Sequence, residues 1–437
     1  MSTGWSLDDE LSHYLRSRSV WENPALIFDA WTRIGRNLFH VVPAAIGLTA
    51  ARLWTLVFAA LAVWLTTLLA LRLGVRRAWL VPLAMWFQPW FVELSWGVLT
   101  QTPFLLALLG GIWFLTTGRP AWSGLCFGLL PLIRHEGIAL LGLWALAVTV
   151  DLLRHGRWLP WVGAGLASAL PLAAYNLAAW WCLGELPLRI YFDAKPTEIY
   201  GSGPLWHFLA VSLVPAGPAT VVLTAVGLPR GLRNRRACWP LVFYPAYFAL
   251  HSVIFWKGLF ASGGYYHFLM PMAPGLAVAA AWGLETLLDR GWRKTAAVLG
   301  TGLVLQGMVL LHVLSMQVWA GGSPRLGLAP EPIHHALREA LDWQAAHRPN
   351  ARPVICRHVY AAFVRDWVET EARRALAGVT AAGLPPGALV IWENKYSDLS
   401  GLPLRDFLDA KAGWVERAAF GEGTVRIFEK TTVPPRD

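Results

Sequence analysis

The chain has 437 residues, of which 56% are hydrophobic and only 15% charged, with a formal net charge of +10. Soluble domains carry about a quarter charged residues, so this balance excludes an ordinary soluble enzyme, and it equally excludes disordered, collagen-like and coiled-coil chains. The 26 Trp residues suit membrane–water interfaces, and the Arg excess suits the loops of a polytopic protein; nucleic acid is not an expected partner. Cys126, Cys182, Cys238 and Cys356 form no CxxC pair and no disulfide framework.

Residues 1–47 precede the first long apolar run and read as an outer-face loop. Within it, the stretch Trp31–Val42 alternates apolar and basic positions, the pattern of an interfacial amphipathic helix. No apolar segment leads this tail across a membrane, so a further helix encoded upstream is expected. Apolar runs then follow at Leu53–Leu71, Trp79–Val92, Val98–Leu115, Trp122–Ile133, Ile138–Leu153, Trp158–Leu183, Leu205–Leu228, Trp239–Phe260, Phe268–Leu288 and Ala296–Val318. These make a polytopic α-helical module over 48–319, with about ten helices, two of them short.

Basic residues sort the connections. Arg72, Arg76, Arg77, Arg119, Arg154, Arg157, Arg230, Arg233, Arg235, Arg236, Arg290, Arg293 and Lys294 fall in alternate loops, which the positive-inside rule makes cytoplasmic. The other loops hold only Arg134, Arg189, Lys195 and Lys257. The stretch Trp122–Leu153 reads either as one tilted helix or as two meeting at Arg134-His135-Glu136-Gly137. Only the hairpin preserves the bias, and it puts both termini outside. Past the linker Gly321-Gly322-Ser323-Pro324, residues 320–437 have ordinary charge and read as a small extracytoplasmic α/β domain. Its elements are a helix at Pro332–His347, strands at Pro353–Cys356 and Leu389–Trp392, and a hairpin of Trp414–Phe420 and Thr424–Phe428.

Four outer-face segments hold polar groups that a lipid-facing helix would not keep. Asp8-Asp9-Glu10, followed by His13 and Tyr14, is either a solvated tail with a helix cap or a catalytic acid cluster. Glu93 ends an apolar run, where a carboxylate either reaches outer water or serves function. Arg134-His135-Glu136 reads as an internal ion pair or as a binding tip. Lys257 to Phe268, with Tyr265, Tyr266, His267 and two glycines, is either an aromatic belt or a phosphate site. His334-His335 lacks metal-ligand company and reads as surface.

In this order the segments resemble the GT-C superfamily of polyprenyl-phosphate-sugar glycosyltransferases, in particular its protein-mannosyltransferase-like branch. Asp9-Glu10-Leu11-Ser12-His13-Tyr14 is similar to the acidic opening of that family's first outer loop. Thr100-Gln101-Thr102-Pro103 stands where the family has a Thr-Glu-Pro-like element, with Gln101 in place of its carboxylate. Ile133-Arg134-His135-Glu136-Gly137 resembles its Thr-Arg-Pro-Glu-Gly tip. His267-Phe268-Leu269-Met270-Pro271 resembles its Arg-Tyr-x-x-Pro, with His267 where Arg meets the lipid phosphate.

The resemblance implies a GT-C-type fold in the plasma (inner) membrane, with the active site and C-terminal domain extracytoplasmic. It implies inverting transfer of a sugar, mannose first, from a polyprenyl-phosphate donor to a hydroxyl of a protein, glycan or lipid. Asp9 is then the base and Glu10 its neighbour, the two being the ligands of any divalent cation. Arg134 and His267 contact the lipid phosphate, among Glu93, Gln101, His135, Glu136, Lys257, Tyr265 and Tyr266. A lipid-linked-glycan flippase or a non-catalytic membrane assembly subunit is the alternative; the rim position of the ionisable groups favours the enzyme.

The sidedness is testable. Single cysteines placed near Arg119 and Arg235 label from the cytoplasm, and those near Tyr200 and Ala410 label from outside. Cytoplasmic labelling near Ala410 refutes the assignment.

Overall fold

A computed structural model of the chain describes residues 8–28, 33–155, 158–184, 186–187, 201–234, 240–259, 264–313, 331–367, 379–409 and 412–431. The chain divides into two compact units, 1–26 with 328–437, and 27–327. The tail expected as one outer-face loop is therefore split near Leu26. Its first helix, α1 (Asp8–Ser19), belongs with the C-terminal residues. The reason is long-range pairing, described below, which no local pattern announces. Residues 321–324, expected as a linker, lie outside the described residues.

The larger unit is helical: α2 (Ile34–Ile46), α3 (Leu48–Arg72), α4 (Leu80–Trp86), α5 (Pro89–Leu94), α6 (Gln101–Thr116), α7 (Pro120–Ile133) and α8 (Gly137–His155). It continues with α9 (Trp158–Leu183), α10 (His207–Ala216), α11 (Pro218–Arg233), α12 (Phe243–Trp256), a 3-10 segment at Tyr266–Met272, α13 (Ala273–Asp289) and α14 (Arg293–Val313). Among the described residues, Leu48–Arg72, Trp158–Leu183 and Tyr266–Asp289 are long and apolar enough to cross a membrane alone. A fourth crossing is reached if α10 and α11 count as one broken span. Among the described residues, the other expected runs form helices that are shorter or interrupted, except α14, which reaches the edge of the described residues.

The interruptions have local causes. Pro89 has no N–H and pushes Gln88 into extended backbone, so the run expected over Trp79–Val92 divides into α4 and α5. The Gln88 amide then donates to the carbonyls of Ala84 (2.9 Å) and Ala273 (3.0 Å), satisfying groups the break releases. Gly217, at φ 90°, divides α10 from α11 between Pro215 and Pro218. Arg134 is extended and separates α7 from α8, the hairpin that the charge bias favoured.

Packing follows membrane rules. Helix α9 buries Ala164, Ser168 and Ala179 while Leu166, Leu170, Leu177 and Trp181 are exposed. Small residues let backbones approach where lipid offers no hydrophobic drive between helices. Gly124 and Gly128 of α7 meet this face so closely that a Cβ on Gly128 would lie 2.1 Å from the Ser168 carbonyl oxygen. Helix α2 is inverted in the same sense: Leu38, Val42 and Ile46 point outward while Arg36, Asn37 and His40 are buried. The His40 ring meets the Thr55 hydroxyl of α3 at 3.0 Å. This is the amphipathic helix expected near residues 31–42, its first residues lying outside the described set.

The smaller unit contains α1, α15 (Pro332–His347), β1 (Val354–Cys356), α16 (Val359–Val364), β2 (Leu389–Glu393), α17 (Arg405–Leu408), β3 (Trp414–Phe420) and β4 (Val425–Lys430). The sheet order is β1-β2-β4-β3. Strand β1 runs parallel to β2 with Ile355 opposite Val390, and β4 is antiparallel to both β2 and β3. Val390, Trp392, Phe407, Trp414 and Phe428 build the core. The β3–β4 turn has Gly421, Glu422 and Gly423 at positive φ, a conformation that the two glycines adopt without strain and that is uncommon for a residue such as Glu422.

Gly128→Val adds a side chain where a carbonyl oxygen stands. It destabilises the helical unit by at least about 2 kcal/mol, read as a lower thermal midpoint in detergent. Gly163→Ala, on α9 with nothing within 4 Å of its added Cβ, leaves the midpoint unchanged. Equal midpoints for both variants would refute the close seam.

Candidate functional site

In the helical unit, four helix breaks or ends converge on one buried polar cluster. Arg134, at the α7–α8 break, is fully buried; its guanidinium donates to Glu136 at 2.6 Å and to the Thr100 hydroxyl, ahead of α6, at 2.9 Å. The Phe268 ring lies 4.9 Å below that guanidinium. The Tyr247 hydroxyl of α12 donates to the Phe268 carbonyl at 2.9 Å. One turn further along α12, His251 stacks on Phe268, and its Nε2 stands 3.7 Å from Glu136, too far for a hydrogen bond. His267 packs edge-on to Phe268, ring centroids 4.3 Å apart. Glu93, at the end of α5, accepts a 3.0 Å hydrogen bond from the Tyr266 hydroxyl.

Several atoms here are buried with no hydrogen-bond partner among the described residues: Arg134 Nε, His267 Nδ1, both His251 nitrogens, Glu93 Oε1 and Glu136 Oε2. Buried polar atoms in proteins are nearly always paired. The cluster thus combines a fixed guanidinium and two imidazoles with hydrogen-bonding capacity to spare, a set that suits an anionic oxygen.

The structure brings together Glu93, Arg134, Glu136, Tyr266 and His267, which the sequence held in three separate segments. Gln101 is buried beside the cluster, its Oε1 3.5 Å from the Thr100 hydroxyl. Lys257 is exposed at the end of α12, over the Trp256 ring at 3.8 Å, as an aromatic belt would have it. Tyr265 is partly exposed and stacks on His267, and His135 is half-buried. Tyr247, His251 and Phe268 are the additions that sequence reasoning missed. His251 carried a usable signal, an ionisable group inside an apolar run, the argument that singled out Glu93.

The smaller unit holds a second cluster, centred on Asp8. Its carboxylate accepts hydrogen bonds from Lys395 Nζ (2.5 Å), the Tyr396 hydroxyl (2.8 Å) and His334 Nε2 (3.1 Å). His334 is therefore buried and engaged, contrary to the surface position its sequence context suggested. Asp9 is exposed and Glu10 buried, as neighbours about 100° apart on a helix can be. That divergence does not suit a shared cation.

Asp8, His334 and His358 have the proximity of a metal-ligand set. Their chemistry differs. His358 Nδ1 accepts from the Tyr360 N–H, which puts the ring proton on Nε2, facing Asp8 at 3.7 Å. The Lys395 ammonium already supplies the positive charge. These residues fit an ion-pair cluster rather than a cation cage.

Burial by itself raises the Asp8 pKa, but the His334 hydrogen bond and the His358 and Lys395 charges hold it well below the usual carboxylate range. Burial pushes His358 down to about 4; Asp8 opposes this and Lys395 and His334 add to it.

With the fold and both clusters described, comparison with known proteins becomes informative. No protein-family model matches the chain, and no curated protein matches it in sequence. Among solved structures it is similar to ArnT from Cupriavidus metallidurans in the apo state, at 15% identity and a TM-score of 0.64, over 96% of this chain and 93% of that one. It is similar also to the same protein bound to undecaprenyl phosphate, at 13% identity and 0.62, over 98% and 94%. The chain has the ArnT fold. At such identities the likeness is one of fold, and it bears out the polytopic helical membrane architecture read from the apolar runs.

Both Asp8 and His358 have folded pKa values below their unfolded ones. The stability these two groups contribute is therefore complete above pH 6.5 and falls below it, through His358 between 6.5 and about 4 and through Asp8 only below 3.8. Unfolding midpoints of the wild type should drop as pH is lowered from 6.5 to about 4. In His358→Gln that part of the drop should vanish; superimposable pH profiles would contradict the burial of a neutral imidazole.

Proposed function

We propose that the chain is a membrane glycosyltransferase that takes a sugar, mannose first, from a polyprenyl-phosphate donor at the outer face. The observation that carries this reading is the buried Arg134–His267–His251 cluster within the fold of a protein solved with undecaprenyl phosphate bound. The resemblance of the same segments to the GT-C superfamily supports it further.

The chemistry asks little of the protein. The acceptor hydroxyl attacks the anomeric carbon, the bond from that carbon to the phosphate oxygen breaks, and configuration inverts. The leaving lipid phosphate is already an anion, so it needs positive charge and hydrogen-bond donors rather than a general acid. Arg134 and His267 fill that role, with Glu136 fixing the guanidinium and Thr100, Gln101, Glu93, Tyr265, Tyr266, His135 and Lys257 in its surroundings. A glycosidase differs, because its leaving alkoxide must be protonated by a second carboxyl group. The acceptor does lose a proton, and Asp9 takes it. Among the acidic residues that open α1, Asp9 is the exposed one, whereas Asp8 is engaged in ion pairs and Glu10 is buried. Protein, glycan and lipid hydroxyls all fit this chemistry.

A panel of polyprenyl-phosphate sugars, assayed for turnover with the purified protein, tests the reading. Asp9→Asn keeps size and hydrogen bonding but cannot take a proton, so kcat should fall by about 10²- to 10⁴-fold with donor binding little changed. His267→Ala removes a group that holds the phosphate in ground and transition states alike, so donor KM should rise at least as much as kcat falls. Full activity in Glu10→Gln completes the pattern. If Glu10→Gln is dead and Asp9→Asn active, the base is Glu10. Transport of lipid-linked glycan without turnover of any donor would replace the enzyme by a flippase.

A further inference from the structure

The Asp8 cluster lies outside the machinery just described, yet it grips the residue next to the base. Four groups from three separate elements meet there: Asp8 opens α1, His334 lies in the first turn of α15, and Lys395 and Tyr396 occupy the turn after β2. That turn is itself built. The buried Glu393 carboxylate at the end of β2 accepts the N–H groups of Lys395 (2.7 Å) and Tyr396 (2.9 Å) and the Ser397 hydroxyl (3.1 Å). Glu331, just before α15, takes a second hydrogen bond from Lys395 at 3.1 Å. One ammonium thus bridges two carboxylates, and a sheet end supplies it.

We infer that this cluster positions the catalytic base: the C-terminal unit holds Asp8 and thereby fixes the first turn of α1, on which Asp9 stands. The inference rests on the assignment of Asp9 above. Adjacent helical residues are fixed relative to each other, about 100° and 1.5 Å apart. Holding the Asp8 side chain inward therefore sets the rotation of the turn and keeps Asp9 outward. A displacement of about 1 Å in a catalytic group can cost about a hundredfold in rate, so a fixed turn matters. The rest of α1 has its own contacts: Arg18 pairs with Asp366, and the Tyr14 ring meets Phe363 edge-on at 6.0 Å. Losing the Asp8 contacts should therefore free the first turn without releasing the helix. Lys395 and Asp8 are positioning residues; neither touches substrate in this scheme.

The experiment uses the full-length protein in detergent or nanodiscs, with Lys395→Met, Asp8→Asn, Lys395→Arg and, as control, Arg417→Ala, which removes only a surface pair with Glu429. Two readouts are taken: hydrogen exchange of the α1 amides, and turnover with undecaprenyl-phosphate mannose or whichever donor the wild type uses. Lys395→Met and Asp8→Asn should speed exchange in the first turn of α1 by about tenfold or more, because each deletes a charge-assisted hydrogen bond from a buried site. They should lower kcat by about ten- to a hundredfold while donor KM stays within about twofold. Lys395→Arg should restore most of kcat, and Arg417→Ala should change neither readout.

Unchanged exchange in Lys395→Met overturns the anchor whatever the turnover. Faster exchange with unchanged kcat overturns the positioning role. Loss that moves KM as much as kcat and is not rescued by Lys395→Arg marks a general structural defect and overturns it too. Should the wild type use no donor, the transferase reading falls with the positioning role, and the exchange data alone decide whether Asp8 anchors α1.

Discussion

Hydrocarbon offers no water to an open backbone group, so every break in a membrane helix must be answered by another part of the protein. That requirement shapes the helical unit. At the break before Pro89, the Gln88 amide bonds the carbonyls of Ala84 and Ala273 and so ties two distant helices together. At the α7–α8 break, Arg134 finds Thr100 and Glu136. Polar side chains thus collect at the breaks, bonding backbone at Gln88 and one another at Arg134, and a site for an anionic ligand grows where they collect. The long helices, which satisfy themselves, contribute walls.

The balance of small and large residues serves the same end. Gly124 and Gly128 set α7 against the small face of α9, while leucines and tryptophans of α9 are exposed. The helix that ends at Arg134 is thus seated on α9 by close backbone contact, while the Phe268 ring covers the guanidinium itself. In α2 the polar face turns inward and the apolar face outward, the reverse of a soluble helix.

The legible parts of the sequence were those with a local period or a local cause. The helix at Pro332–His347, the β3–β4 hairpin and the division of residues 122–153 into α7 and α8 were all readable from pattern and charge. Glu93, Arg134, Glu136 and His267 were readable as misfits in apolar surroundings. Their convergence was not, because it depends on the order in which the helices pack. The Asp8 cluster shows the same limit more sharply: His334 and Lys395 stand 326 and 387 residues away from their partner, and nothing beside His334 marks it as buried. His251 was overlooked although it stood in an apolar run, where the rule applied to Glu93 should have found it. Asp8 itself was read as a helix cap or as one member of an acidic cluster, since three successive acids look alike until a partner selects one.

The membership of α1 in the C-terminal unit sets a timetable for biosynthesis. Lys395 follows Asp8 by 387 residues, so at about 5–20 residues per second the ribosome needs about twenty to eighty seconds to supply it. Throughout that interval Asp8 lacks its Lys395 partner, while the entire helical unit is made between the two. The early helix therefore reaches its neighbours only after the helical unit has been made. A late truncation would leave Asp8 without its Lys395 and Tyr396 partners.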